Sequence, residues 1–166
     1  MSFAAKMITD SVAPTGKRLK TMLLRYPRFI HSELMTHGRL SKNASSSRAI
    51  PVERMIRSLR DDPAMPVYWG SKQKGMQAGP ELEGAALQRV RIEWRLAMEH
   101  AIEAAQSMLD AGLHKQVANR VLEPWAHMTT LVTGTEFENL YALRRHKDAQ
   151  PEFKVLADLM LSLIHI

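Results

Sequence analysis

Between Glu81 and Ala111 apolar residues recur at alternating steps of three and four: Leu87, Val90, Trp94, Ala97, Ala101, Ala104 and Met108. That spacing gathers them on one side of a long helix, with Arg89, Arg91, Glu93 and Arg95 lying mainly off the seam. Gly112 follows as a residue able to close such a helix in the left-handed conformation. A seam of this kind is read first as core and second, because of its small alanines, as a contact for another subunit.

Shorter pieces surround it. Lys6 to Val12 and Lys17 to Tyr26 flank Ala13-Pro14-Thr15-Gly16 and read as two strands joined by a turn. Pro27 suits the first turn of a helix that runs to Met35, with Phe29, Ile30, Leu34 and Met35 on one side. Pro51 opens a second short helix, Val52 to Leu59, with Met55, Ile56 and Leu59 inward, and Asp61-Asp62-Pro63 stops it. Val67-Tyr68-Trp69-Gly70 is a brief strand or an aromatic loop, and Ser71 to Pro80 is the best candidate for a mobile segment. His114 to Val121 reads as a helix ended at Glu123-Pro124, Trp125 to Thr133 as a strand, and Thr135 to Arg145 as a helix with Phe137, Leu140, Tyr141 and Leu143 inside. A last helix starts near Pro151. Strands and helices that do not alternate regularly predict an α+β fold. At 166 residues the length is that of a single domain, 1–166.

Several classes of function fall away on composition. The chain has no cysteine, which removes disulfides, thiolate metal sites and a Cys nucleophile. Its seven histidines lack paired spacing on a helix, so no metal site is expected. No apolar run approaches about 18 residues, and Met1 to Asp10 carries no signal-peptide core, so a cytoplasmic protein without a membrane span is expected. The net charge of +6 suits an anionic partner without saying which. A nucleic-acid-binding module would use that charge, yet 6% aromatic content and the lack of a groove-reading motif argue against it.

Thr36-His-Gly-Arg-Leu-Ser-Lys-Asn-Ala-Ser-Ser-Ser-Arg48 is the densest run of small hydrogen-bonding and basic side chains. Ser41, Ser45, Ser46, Ser47, Asn43, His37, Arg39, Lys42 and Arg48 can together surround a phosphate and leave donors for a ring. On composition the stretch is equally a solvated Ser-rich loop.

His37, Ser41, Asn43, Ser46 and Arg48 stand at the relative positions of the run R-H-R-x-x-S-x-N-x-x-S-x-R, and in this the chain resembles the flavin-dependent thymidylate synthases. Three further blocks are similar in order and spacing: Lys115 to Pro124 to A-R-x-x-L-P, Asn139 to Arg144 to N-x-x-x-L-R, and Ala149 to Glu152 to A-Q-x-E. The resemblance runs from about Asp10 to Met160. It implies an antiparallel twisted sheet flanked by helices, one of them long, and methylation of dUMP to dTMP with FAD, NADPH and 5,10-methylenetetrahydrofolate. It also implies a homotetramer with shared active sites and no nucleic-acid partner. Absence of a Gly-x-Gly-x-x-Gly agrees with a flavin held outside a Rossmann site.

Carried over residue by residue, the resemblance makes Arg144 the catalytic group, polarising a uracil that no thiolate can activate. Glu33, Ser45, Ser46, Ser47, Arg48, Arg120 and Arg144 would bind dUMP, with Ser46 positioning rather than attacking. Thr36, His37, Gly38, Arg39, Asn43 and Asn139 would hold FAD. Three positions depart from the pattern: Thr36 and Gly38 replace the arginines flanking the motif histidine, and Ala44 replaces a usual Glu. Weak FAD retention is therefore expected. Hydroxymethylation of dUMP and a catalytically weak nucleotide- or nucleic-acid-binding protein are the alternatives. Leu161-Ser-Leu-Ile-His-Ile166 resembles the translation of a transposon mosaic end, so the native sequence is expected to stop at Met160 in a longer natural chain; the alternative is an ordinary apolar helix end.

Overall fold

The structure is a computed structural model and describes residues 3–164. Strands β1 (Ala4–Val12) and β2 (Arg18–Pro27) form the expected hairpin. β2 pairs with β4 (His127–Gly134), and β4 pairs with β3 (Ser41–Ala44), giving an antiparallel sheet of order β1-β2-β4-β3. Alternation along these strands sets the two faces. Met22, Leu24, Tyr26, Met128, Thr130 and Val132 point into the core, while Leu19, Leu23 and Leu131 on the other face stay exposed.

The inner face is covered by α1 (His31–Met35), α5 (Glu138–Arg144) and α6 (Pro151–Ser162). Phe153, Leu156, Ala157 and Met160 of α6 are fully buried there. Truncating Phe153 to Ala would cost about 3–5 kcal/mol from lost burial and the cavity left behind. Gln150 starts α6 by accepting the Phe153 N–H at 2.8 Å, and Pro151 follows in the first turn. A second core unites α2 (Val52–Asp61), α3 (Gly84–Asp110) and the 3-10 turn Asn119–Trp125 after α4 (Lys115–Ala118).

The long helix forms, but its buried stripe is not the expected one. Ala97 and Ala104 are exposed, and Met98, Ile102 and Ala105 are buried instead. A strict alternation of three and four repeats every 3.5 residues, whereas a straight helix turns every 3.6, so the inward face drifts along a helix this long. Gly112, at φ +87°, closes α3: its N–H reaches Leu109 O at 2.8 Å and the Leu113 N–H reaches Met108 O at 2.9 Å.

Other expectations shift. The segment from Pro27 opens with a 3-10 turn, Arg28–Ile30, and of its apolar residues only Ile30 and Leu34 are buried, Phe29 and Met35 being exposed. Leu143, expected inside, is 55% exposed, because α5 presents that side to a cleft. The stretch read as mobile is braced by Ser71 N–H to Pro80 O, Gly79 N–H to Ser71 O, Tyr68 O–H to Gly79 O and Gln77 Nε2 to Asp148 O. Among the described residues no helix is long and apolar enough to cross a membrane, and no group of three or more His, Asp or Glu could hold a metal. Leu161 and Ser162 continue α6, whereas His165 and Ile166 lie outside the described residues.

Candidate functional site

The polar run after α1 folds into three parts. Thr36 to Leu40 turns back over α5, Ser41–Ala44 becomes β3, and Ser45 to Ile50 makes a second turn. The strand was missed because Ser, Lys, Asn and Ala have little intrinsic strand preference; pairing with β4 decides it.

In space beside the start of β3, Arg144 of α5 sits among acceptors from α1 and the turn that follows it. Its Nη1 donates to Glu33 Oε2 at 2.6 Å, its Nε to His37 Nε2 at 3.0 Å, and its Nη2 to Thr36 Oγ1 at 3.2 Å and Glu33 O at 3.4 Å. The guanidinium lies 4.6 Å above the Phe153 ring, and the His37 ring runs nearly parallel to that ring. Accepting a bond from Arg144 requires a lone pair on His37 Nε2. Burial, reinforced by Arg144 and Lys42, holds the imidazole below its ordinary pKa and hence neutral. Lys42 also donates to His37 O, and burial lowers its own pKa.

His37 continues into a cleft of about 590 Å³ lined by Thr36, His37, Gly38, Arg39, Glu136, Glu138, Asn139, Leu140 and Leu143. Five of the six residues expected to hold FAD are in that lining. Asn43 is not: it lies on β3 opposite Leu131 and is exposed. A hydroxyl, an imidazole, an amide and two leucines suit a planar heteroaromatic ring with hydrogen-bonding edges, so this lining fits the flavin's ring system. Arg39 is engaged by Glu136 at 2.7 Å, and Glu138 adds a second carboxylate, so the lining does not fit a diphosphate. Nothing lies within 4 Å of where a Cβ on Gly38 would stand, so the position is open to a side chain.

Past the end of β3, two of the remaining residues expected to bind dUMP, Ser47 and Arg120, meet at Glu123, to which sequence reading gave no role. Glu123 accepts from Ser47 Oγ at 2.7 Å and from Arg120 Nη1 at 2.9 Å, and it also pairs with Arg28 Nε at 3.1 Å. Ser47 is buried. Ser45 bonds β4 in both directions, its N–H to Thr129 O and its Oγ accepting the Thr129 N–H. Ser46 Oγ accepts the Arg48 N–H at 3.4 Å, and the Arg48 side chain is exposed.

Sequence reading also passed over Phe153 and Glu136. Phe153 stands next to Glu152 in the A-Q-x-E-like block, and that adjacency was the available signal. The block itself is structural here: Gln150 caps α6, and buried Glu152 accepts the Val67 N–H at 2.7 Å and a bond from Gln150. Arg145, beside Arg144, is spent on Asp158 at 2.6 Å.

The fold is shared with solved structures. Crystal structures of a UMP/dUMP methylase PolB from Streptomyces cacaoi, bound with 5-Br UMP and with 5-Br dUMP, both superpose with a TM-score of 0.77. They are 18% and 17% identical in sequence, and each match covers 98% of this chain with 88% and 89% of the other. No curated protein sequence matches. The profile of the family described as Thymidylate synthase complementing protein matches residues 19–165, spanning all four site blocks. The chain therefore belongs to the thymidylate synthase complementing protein family, the flavin-dependent thymidylate synthases.

Proposed function

We propose that the protein methylates dUMP to dTMP, with FAD, NADPH and 5,10-methylenetetrahydrofolate supplying reduction and the one-carbon unit. The observation that carries this reading is the bond from Arg144 to His37 across 107 residues of sequence. It puts the residue expected to polarise the pyrimidine against the wall of the cleft expected to hold the flavin ring. Family membership and a fold shared with a UMP/dUMP methylase support the same substrate class.

In this reading Thr36, His37 and Asn139 hold the flavin ring, and Leu140 and Leu143 exclude water from it. Bound there, the flavin supplies hydride and one-carbon chemistry that side chains lack. Arg144 stabilises negative charge on the uracil carbonyls and ring nitrogens, and Phe153 keeps its guanidinium flat. Neutral His37 accepts from Arg144 without adding a positive charge that would compete for the pyrimidine. Glu33 now occupies one Arg144 nitrogen and must yield part of that fork to the nucleotide. Ser46, Arg48 and Arg120 bind the phosphate.

Glu33 and Arg144 lie beside the start of β3, with Ser45, Ser46, Ser47, Arg48 and Arg120 on the side of its end, and the strand alone is about 13 Å long. A pocket that takes the ring from one copy and the phosphate from another accounts for this split, which supports a homotetramer with shared sites. The test is tritium release from 5-labelled dUMP with added FAD, NADPH and methylenetetrahydrofolate, followed by product analysis. dTMP is the expected product. Hydroxymethyl-dUMP would replace the methylase reading, and absence of both products would end it.

A further inference from the structure

Where the turn after β3 meets the 3-10 turn after α4, the contacts are organised by a carboxylate. Glu123, only 19% exposed, receives Ser47 Oγ, Arg120 Nη1 and Arg28 Nε. A carboxylate this sheltered is costly unless charges and hydrogen bonds compensate it. Two guanidiniums and a hydroxyl do so, and the cluster keeps a net positive charge. In return the carboxylate holds together two cations that would repel each other across a short gap.

The turn itself is gripped from other directions as well. Asn119, fully buried, donates through Nδ2 to Ser47 O at 2.8 Å and to Ile50 O at 3.0 Å. Ser45 is tied to β4. What remains to face outward is Ser46, the exposed Arg48 side chain and the unspent part of the Arg120 fork. Arg28 is held on its own side by Nη1 against Met128 Sδ at 3.6 Å and by Nε on Glu123. Among the described residues its Nη2 makes no hydrogen bond, and guanidinium edges suit phosphate oxygens.

We propose that Glu123 is the positioning residue of the phosphate subsite, holding Arg120 and Arg28 beside the Ser46–Arg48 turn, and that Arg28 is a further phosphate-binding residue. The inference rests on the dUMP reading given above. Its signature is selective: disturbing Glu123 should weaken what holds the phosphate and leave what holds the ring.

The experiment titrates the full chain with dUMP and with deoxyuridine, which lacks the phosphate, and measures KM and kcat for dUMP. Glu123→Gln should lower dUMP affinity about tenfold, the usual cost of releasing a charge-assisted bond network, with deoxyuridine affinity and kcat nearly unchanged. Glu123→Asp should recover part of the loss, a rescue that general destabilisation would not give. Arg28→Lys keeps the charge but loses the fork, and it should reduce the dUMP-to-deoxyuridine preference about threefold or more. If Glu123→Gln does not fold, the Arg28→Lys result decides. An unchanged preference in both variants, or in Arg28→Lys alone where it is the deciding one, overturns the inference while the dUMP reading stands. A wild-type protein that binds dUMP no better than deoxyuridine overturns both.

Discussion

At the start of β3 a guanidinium is the hub, with Glu33, Thr36 and His37 arranged as acceptors around Arg144. At its end a carboxylate is the hub, with Ser47, Arg28 and Arg120 arranged as donors around Glu123. The inversion separates two kinds of readiness. Glu123 consumes only part of each arginine, so the end of β3 presents spare donors without rearrangement. Arg144 has almost all of its donors engaged inside the chain, so it can reach a pyrimidine only by exchanging an internal acceptor for one on the ligand. One end is built to capture an anion, and the other is built to release a contact when the right ring arrives.

That contrast is most directly broken at Arg144. Arg144→Lys keeps the charge but not the fork, and kcat for dTMP formation should fall about a thousandfold, in the range of losing an electrostatic stabiliser of developing charge. A decrease within threefold would show that the start of β3 is a structural cage. Arg48→Ala, at the other end, should raise KM for dUMP about tenfold to a hundredfold while kcat changes little. A fall in kcat with KM unchanged would mean that the two ends do not divide the ring from the phosphate.

Gly38→Arg sharpens the comparison at the cleft. The open space at Gly38 admits the side chain, and a guanidinium there would offset Glu136 and Glu138. Flavin recovered with the purified protein should rise severalfold over wild type; equal absorbance near 450 nm after identical purification would count against the assignment of the cleft. Glu33→Gln removes the charge partner of Arg144 while retaining an acceptor. Because both side chains are partly exposed, the stability cost should be about 1 kcal/mol or less, seen as a small drop in melting temperature. KM for dUMP should fall about twofold as the internal competitor weakens, and a rise in KM would show that Glu33 instead assists binding.

The smallest expected effect is on pH. Burial, aided by Arg25 and opposed in part by Asp62, lowers the His127 pKa from 6.5 to about 4. The unfolded chain then binds more protons between these values, so this histidine's contribution is complete above about pH 6.5 and is lost as the pH falls towards 4. Melting temperatures taken across that window should drop in wild type and drop less in His127→Phe. Since His127 pairs with Pro27, next to Arg28, acid should loosen the Glu123 end. Parallel slopes in the two proteins would remove His127 from that account.

Much of this could be read along the chain because it depends on near neighbours. The β1–β2 hairpin follows from its turn residues, the starts of α2 and α6 from Pro51 and Pro151, and the end of α3 from Gly112, each a local steric or capping effect. The blocks containing His37, Asn139 and Arg144 were also visible as ordered motifs. Residues acting through partners distant in sequence were not. β3 is a strand only because β4 lies beside it, Phe153 matters because it lies under Arg144, and Glu123 is a hub because three chain segments cross there. The register of α3 failed for a related reason, since a seam read at 3.5 residues loses phase with a helix turning at 3.6.

Sequence by itself therefore determined most of the succession of strands and helices, β3 excepted, together with the family blocks and the absence of any thiol chemistry, because each depends on residue identity over a few positions. Tertiary structure alone decided which acceptors surround Arg144, which donors surround Glu123, and that β3 stands between them. Hydrogen bonds and ion pairs act over about 3 Å, and only folding brings groups a hundred residues apart to that distance.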